Sequence, residues 1–350
     1  MSHTAVKKIF IKNLTEGYEG EAAFLVLSHS QGRTNRGGVY LNLELGDATG
    51  RISAKVWEEA LTLANKLVEG TVALVRGYVD SYRGAFQFIV REAWPLAPEQ
   101  INWADYLRAS PRAASEMKAE LWLLIDSLSD PDFHRLAVAA LKDPEVVKKF
   151  YLMPAAKSLH HAYLHGLLEH SLSVGRLAAK VAEHYGKELN RDLLVAGAIL
   201  HDLGKIWEFT PLPRVDYSTQ GRLKGHLVMG AEFLGSLAKN WSDFPAEKLE
   251  LMEHLILSHH GEPAFGAPVR PHLLEAVVLH HLDNIDAKLA AIVTLLDDGV
   301  DAEGWSAYHR LFGGYFRRTI DFSSSFDGSR SEDDIEEAES PTQLEERLLF

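Results

Sequence analysis

An apolar run closes on Ile199-Leu200-His201-Asp202-Leu203-Gly204-Lys205, which puts an imidazole and a carboxylate side by side. Two such neighbours rarely bind one metal ion by accident, and further donors stand in order along the chain. His170 lies upstream; His226, the pair His259-His260 and Asp283 lie downstream. Imidazole nitrogens mixed with carboxylate oxygens suit a borderline divalent ion such as manganese, iron or zinc, and this many donors could hold two. These residues support a metal-dependent hydrolase. Isolated histidines such as His134, His184, His254 and His309 lack such company and are expected on the surface or satisfied in the core.

The donors need helices to position them, and the second part of the chain supplies the pattern. Apolar residues recur at three-to-four spacing over 117–128, 133–141, 145–151, 164–184 and 191–200, and again over 225–239, 246–258 and 271–290, ending near Ile320. His170 falls inside one helix, and His201-Asp202 close another. His226 opens a helix after Gly225, His259 ends one before Gly261, and Asp283 lies mid-helix. Ligands on buried faces and helix ends of a bundle can converge on one cavity.

Residues 5–97 read differently. Five short β-patterned runs, at 22–28, 39–45, 51–57, 71–78 and 84–91, carry a short helical stretch over 58–67 between the third and fourth. That order matches an OB-fold, a small Greek-key barrel that often binds oligonucleotides. Arg33, Arg36, Arg51, Lys55, Arg76, Arg83 and Arg91 are interleaved here with Tyr40, Trp57, Tyr78, Tyr82, Phe86 and Phe88. Cations can track a phosphate backbone while aromatic faces stack unpaired bases. Lys55, Trp57, Tyr82 and Arg83 are the expected contacts, and several of the other aromatics must fill the barrel.

Composition sets the bounds. A chain of 350 residues is expected to form two or three domains. It has no cysteine, which excludes disulfides and thiolate metal sites. With no apolar leader and no membrane-length run, a cytoplasmic protein without a membrane partner is expected. The net charge of −13 is adverse to nucleic acid until it is located. Nine acidic residues against Arg330 and Arg347 between Asp327 and Phe350 place −7 in the tail alone, which is expected to be disordered. Net charge therefore does not veto a local basic groove. The expected organisation is an all-β OB barrel at 1–97, a helical linker or subdomain at 98–150, an all-α metal-binding bundle at 151–322 and an acidic tail at 323–350.

The ordered set His170, His201-Asp202, His226, His259 and Asp283 resembles the HD-domain metallophosphohydrolase superfamily. The stretch from His160-His161-Ala162-Tyr163-Leu164-His165-Gly166 to Glu169-His170, and Leu257-Ser258-His259-His260-Gly261, narrow this. With an OB-like domain in front, residues 5–320 resemble the YhaM-type 3′→5′ exoribonucleases, and Trp305, Tyr308 and Phe312 fit that pattern. His165 departs from it, where a small residue such as glycine is expected. The resemblance implies a first metal on His170, His201, Asp202 and Asp283, and a second on His226 and His259, with Asp202 between them and His260 a further candidate. It favours manganese, with iron, cobalt or zinc as alternatives. Two such ions can clamp a phosphodiester and generate hydroxide near neutral pH. Lys205 would neutralise the phosphate or assist the leaving group, and Arg214, Tyr217, Lys224 and Lys288 would hold the substrate backbone. The implied reaction is 3′→5′ hydrolysis of single-stranded RNA, or DNA, to nucleoside monophosphates.

Three other readings compete. An HD phosphohydrolase of a nucleotide or signalling nucleotide would use the same metal site but would need no OB domain. A nucleic-acid-binding protein with an inactive HD domain need not retain every ligand together with Lys205. The barrel could instead bind protein. Exposed apolar helix faces could also support a homo-oligomer.

Overall fold

The computed structural model describes residues 9–34, 37–158 and 160–319. Arg36 and the acidic tail therefore lie outside the described residues. The first element group is a closed barrel of β1 (Glu19–Arg33), β2 (Val39–Asp47), β3 (Gly50–Val56), β4 (Val72–Tyr82) and β5 (Ala85–Pro95), joined in the order β1-β2-β3-β5-β4. A one-turn helix, α1 (Ala60–Ala64), bridges β3 and β4. Pairing is antiparallel except between β3 and β5, where Ala54 faces Phe88 in a parallel register. This is the OB arrangement. Alternation along β3 buries Ile52, Ala54 and Val56 and turns Arg51 and Ser53 outward.

The barrel interior holds Phe24, Leu41, Leu45, Leu67 and Phe88, with the Phe24 and Phe88 rings edge-on at 5.7 Å. Phe88 is thus core and not a stacking surface, because its register turns it inward. A Cβ on Gly77 would lie 1.9 Å from the Ile89 carbonyl oxygen, so only glycine lets β4 shift register against β5 at this point.

The helices are α2 (Ala114–Asp126), α3 (Pro131–Lys142), α4 (Pro144–Phe150), α5 (Gly166–Tyr185), α6 (Arg191–Leu200), α7 (Lys205–Glu208), α8 (Thr219–Ala238), α9 (Ala246–Ser258) and α10 (Leu274–Asp297). Their starts are written locally. Asp130 and Asp143 each cap two backbone amides ahead of a proline at the first helical position, and Asn190 and Ser218 cap α6 and α8. Every residue of α6 from Asp192 to Leu200 is buried, so this helix is the axle of the bundle.

Two expectations need correction. The 98–150 segment is no separate subdomain, because Met117, Leu121, Phe133 and Leu136 share one core cluster with Leu167, Leu194 and Leu255. Helix does not continue to residue 320 either. After Asp297 the chain forms isolated bridges, Val300 with Ser306, Trp305 with Arg317 and His309 with Gly314. Trp305, Tyr308 and Phe312 mimic helical spacing, but Gly299, Gly304 and Gly313 adopt positive φ and break the period. Compactness divides the chain at Thr294, with the barrel and most of the bundle on one side and residues from Leu295 on the other. Among the described residues no helix is long and apolar enough to cross a membrane.

Candidate metal centre and nucleic-acid face

The buried α6 stops at Leu200, and His201-Asp202-Leu203-Gly204 turn the chain into α7. A Cβ on Gly204 would stand 2.0 Å from the His226 carbonyl oxygen, so the turn rests directly on the backbone of α8. On that helix Gly225 (φ 72°) breaks the path one residue before His226 and re-aims the remaining turns. One full-turn helical step from His201 to Lys205 is therefore not what brings the lysine in. The tight turn does so, placing Lys205 Nζ 2.6 Å from Asp202 Oδ2.

The two oxygens of Asp202 face two separate groups. Around Oδ2, His170 Nε2 and His201 Nε2 each lie at 3.3 Å, and Asp283 Oδ1 stands 3.1 Å from His170 Nε2 and 3.7 Å from His201 Nε2. Toward Oδ1 point His226 Nε2 at 3.4 Å and His259 Nε2 at 3.7 Å. Asp202 Oδ1, His226 Nε2 and His259 Nε2 are buried and have no hydrogen-bond partner. Leaving such atoms unpaired costs about 1–3 kcal/mol each, so three aimed at one another mark a place for a cation. An all-nitrogen and oxygen donor set fits a divalent ion. His260 joins His226 and His259 in one group of potential ligand atoms within 4.8 Å, so the pair His259-His260 brings both rings to the same place.

Each ring is oriented through its other nitrogen. Nδ1 of His170 donates to Asp286 at 2.7 Å, that of His201 to the Ala198 carbonyl at 2.8 Å, and that of His259 to the Ile256 carbonyl at 2.7 Å. His226 Nδ1 lies 3.0 Å from Glu208, whose carboxylate also accepts the His226 amide, and His260 Nδ1 reaches the Phe265 carbonyl at 2.9 Å. All five thus present Nε2 inward. Such outer partners typically carry about 10–100-fold of metal affinity. Glu208→Ala should therefore weaken uptake of a divalent ion beside His226 by about that factor in calorimetry. An unchanged isotherm would show that Glu208 does not orient His226.

Known proteins share both parts of this architecture. A model of the HD domain matches residues 167–288, and one of an OB-fold nucleic acid binding domain matches residues 26–96. The 3'-5' exoribonuclease YhaM of Bacillus velezensis is 34% identical over 274 residues, covering 78% of this chain and 86% of its own. That of Geobacillus sp. is 34% identical over 311 residues, covering 88% of this chain and 94% of its own. The chain belongs to the YhaM family of 3'-5' exoribonucleases. It is accordingly a hydrolase, built as an OB-fold barrel followed by a helical HD domain. The second OB-fold domain of replication protein A from Methanococcus maripaludis aligns with 25% of this chain and 93% of its own, at 22% identity and TM-score 0.22.

The charges of this YhaM-family site are set by burial and by one another. Burial alone would lower His201, but Asp202 and Asp283 outweigh it and raise the ring to about 9; His170 is raised for the same reasons. Burial works against Asp202 and Asp283 as well, yet Lys205 and the two histidines hold Asp202, and the two histidines hold Asp283, well below the usual carboxylate range. For His259 burial wins, helped by the neighbouring imidazoles, and the ring falls to about 3. Without metal, His170 and His201 therefore carry protons at neutral pH where a cation would sit. A ligating imidazole must be neutral, so loading must expel those protons. Metal affinity should accordingly rise from pH 7 through about 9 as His201 gives up its proton, with proton release visible at pH 7 in buffers of different ionisation enthalpy. A flat profile over that range would contradict this.

The remaining expected residues scatter. Trp57 is 49% exposed and lies tilted against Tyr40 at 5.0 Å, beside Lys55, which bonds Asn42 across the β2–β3 ladder. Tyr82 is 58% exposed at the β4–β5 hairpin, with the Arg83 guanidinium 5.2 Å over its ring. Arg76 and Arg91 are tied to carboxylates, Arg76 to Glu21 and Glu92 and Arg91 to Glu19. Arg214 reaches from the 210–218 loop to Glu69 of the barrel at 3.1 Å, and Tyr217 lies exposed against Phe209. Lys224 pairs with Glu232. Lys288 is exposed and sits about 200° around α10 from Asp286, away from the ligand cluster. His165 does not join the cluster: its Nδ1 holds the Tyr151 carbonyl at 2.7 Å and its backbone has φ 67°, a conformation that favours the glycine expected there.

Sequence reasoning gave no role to Glu208, Asp286, His160 or His161. Asp286 could have been noticed, since it stands three residues from Asp283 on one helix and so shares its side. Glu208 and His161 carry no comparable local signal.

Proposed function

We propose that this chain removes nucleoside monophosphates from the 3′ end of single-stranded RNA by metal-dependent hydrolysis, the barrel holding the strand and the HD bundle cutting it. The observation that carries this reading is Asp202, a buried carboxylate whose two oxygens serve two groups of histidines with unpaired Nε2 atoms on one side. His170, His201 and Asp283 would hold one divalent ion with Oδ2, and His226, His259 and His260 a second with Oδ1. Manganese is our first choice, with iron, cobalt or zinc accommodated by the same donors. Two ions would supply Lewis-acid charge to the phosphodiester and activation of a water.

The chain's own groups do the rest. Asp202 stays ionised because Lys205 and the histidines hold it so, and Asp283 because His170 and His201 do. Lys205, buried and cationic, keeps positive charge beside Asp202 Oδ2, where it would balance the scissile phosphate. The Nδ1 anchors prevent the rings from turning when substrate enters. On the barrel, Trp57 and Tyr82 would stack bases while Lys55 and Arg83 meet phosphates. Base stacking on an aromatic ring is worth about 1–3 kcal/mol. Trp57→Ala and Tyr82→Ala should each weaken binding of a single-stranded oligonucleotide by about 5–150-fold in fluorescence anisotropy, with thermal stability unchanged. Full affinity in the double variant would move strand capture off this face.

The test of the function is a time course on 5′-labelled single-stranded RNA with Mn2+, run beside a His201→Ala/Asp202→Ala variant and a DNA strand of the same sequence. A ladder shortening from the 3′ end, absent in the variant, supports the proposal, and the DNA lane reports whether the 2′-hydroxyl is read. An inert wild type that hydrolyses free nucleotides instead would replace it with a nucleotide phosphohydrolase.

A further inference from the structure

A buried chain of polar side chains leads away from His170. Asp286 Oδ2 accepts from His170 Nδ1 at 2.7 Å and from His161 Nε2 at 2.9 Å, while the Ser173 hydroxyl donates to the other oxygen. His161 Nδ1 in turn meets the Tyr163 hydroxyl at 2.9 Å, and that hydroxyl donates to Glu169 at 3.0 Å. One carboxylate on α10 thus joins a ring of α5 to a ring of the loop before it, across 116 and 125 residues of sequence.

The loop is built to hold this contact. His161 and His165 both take left-handed backbone conformations, at φ 47° and 67°, which side-chain-bearing residues adopt only when their surroundings enforce it. Gly166 closes the loop, for a Cβ there would stand 2.0 Å from the His161 carbonyl oxygen. Leu164 is stitched to the segment beyond the barrel, its amide bonding the Arg108 carbonyl at 2.9 Å and its carbonyl accepting from Ser110 at 3.0 Å. A strained loop pinned at both ends places His161 on Asp286.

We propose that His161 is a positioning residue: acting through Asp286, it fixes the tautomer and tilt of His170 so that Nε2 faces His201, Asp202 and Asp283. The proposal rests on the reading of those four residues as holders of a divalent ion. His161, Asp286 and His170 could alternatively gather round an ion of their own. The 2.7 and 2.9 Å contacts to one carboxylate oxygen are hydrogen bonds, however, and leave no gap between the donors.

Titration of metal-stripped protein with Co2+, followed by its visible absorption, tests this without reference to activity. Wild-type protein should bind two equivalents. His161→Ala should weaken one of them by about 10–100-fold and change its spectrum, leaving the other untouched. His161→Gln, whose amide can still donate to Asp286, should recover most of the loss, whereas His161→Asn, too short to reach, should resemble alanine. The Gln–Asn contrast decides the matter if His161→Ala does not fold. With RNA as substrate, KM should stay constant while kcat falls. Unchanged Co2+ affinity and spectrum in both His161→Ala and His161→Asn would overturn this proposal alone, as would a third equivalent in wild type that either variant removes. A wild type that takes up no Co2+ would overturn the metal reading and this proposal with it.

Discussion

Asp202→Asn should reduce the exonuclease rate by at least about 10³-fold while the protein still folds and still binds single-stranded RNA. The amide has nearly the shape of the carboxylate, so packing around this buried residue survives. What it loses is charge on both oxygens at once. One oxygen faces His170, His201 and Lys205; the other faces His226 and His259. The asparagine oxygen can still accept from Lys205, so the stability loss should be about 1–3 kcal/mol, well short of removing a buried ion partner outright. His201 would also lose its main reason for being raised to about 9, so proton release on metal loading at pH 7 should shrink. Rate, RNA affinity and proton release measured on one preparation check all three parts. A variant cutting within tenfold of wild type would show that Asp202 does not link the two groups.

Gly204→Ala should be among the most damaging single methyls in the bundle. The added carbon would lie 2.0 Å from the His226 carbonyl oxygen and 2.8 Å from the Gly230 amide nitrogen, both backbone atoms of α8. Neither can swing aside as a flexible side chain would, so the turn and the helix must separate. Overpacking of this kind costs on the order of 3 kcal/mol or more. For a domain of this size that corresponds to a fall in Tm of about 6–12 °C. Because the moved segment carries His226, activity should fall more than stability implies. Gly314→Ala, with nothing within 4 Å of the added carbon, should leave Tm within experimental error. Equal Tm for the two variants in calorimetry would mean that the turn has slack which the backbone contact denies.

The kinds of residue gathered in the proposed centre were legible along the chain, and so was their order. Metal donors are chemically distinctive, and helical spacing is a local property, so His170, His201, Asp202, His226, His259, His260 and Asp283 could be collected before any fold was known. The barrel was legible for a similar reason: a period of two, punctuated by glycine turns, is written within each strand. The family resemblance marked His165 as a departure where a small residue is expected, and its φ of 67° shows why glycine suits that position.

Tertiary packing decided what those residues do to one another. Which oxygen of Asp202 meets which histidines depends on α6 ending at Leu200 and on Gly204 seating the turn against α8. That Asp286 and Glu208 hold the rings of His170 and His226 depends on contacts across 116 and 18 residues, which no local period encodes. Phe88, read as a stacking candidate, went inward because strand register sets its face. Arg76 was claimed by carboxylates on both adjacent strands, and Arg91 by Glu19 of β1. Residue type and spacing are properties of one segment, whereas burial, ion pairing and ring orientation belong to pairs of segments and exist only once the chain has brought them together.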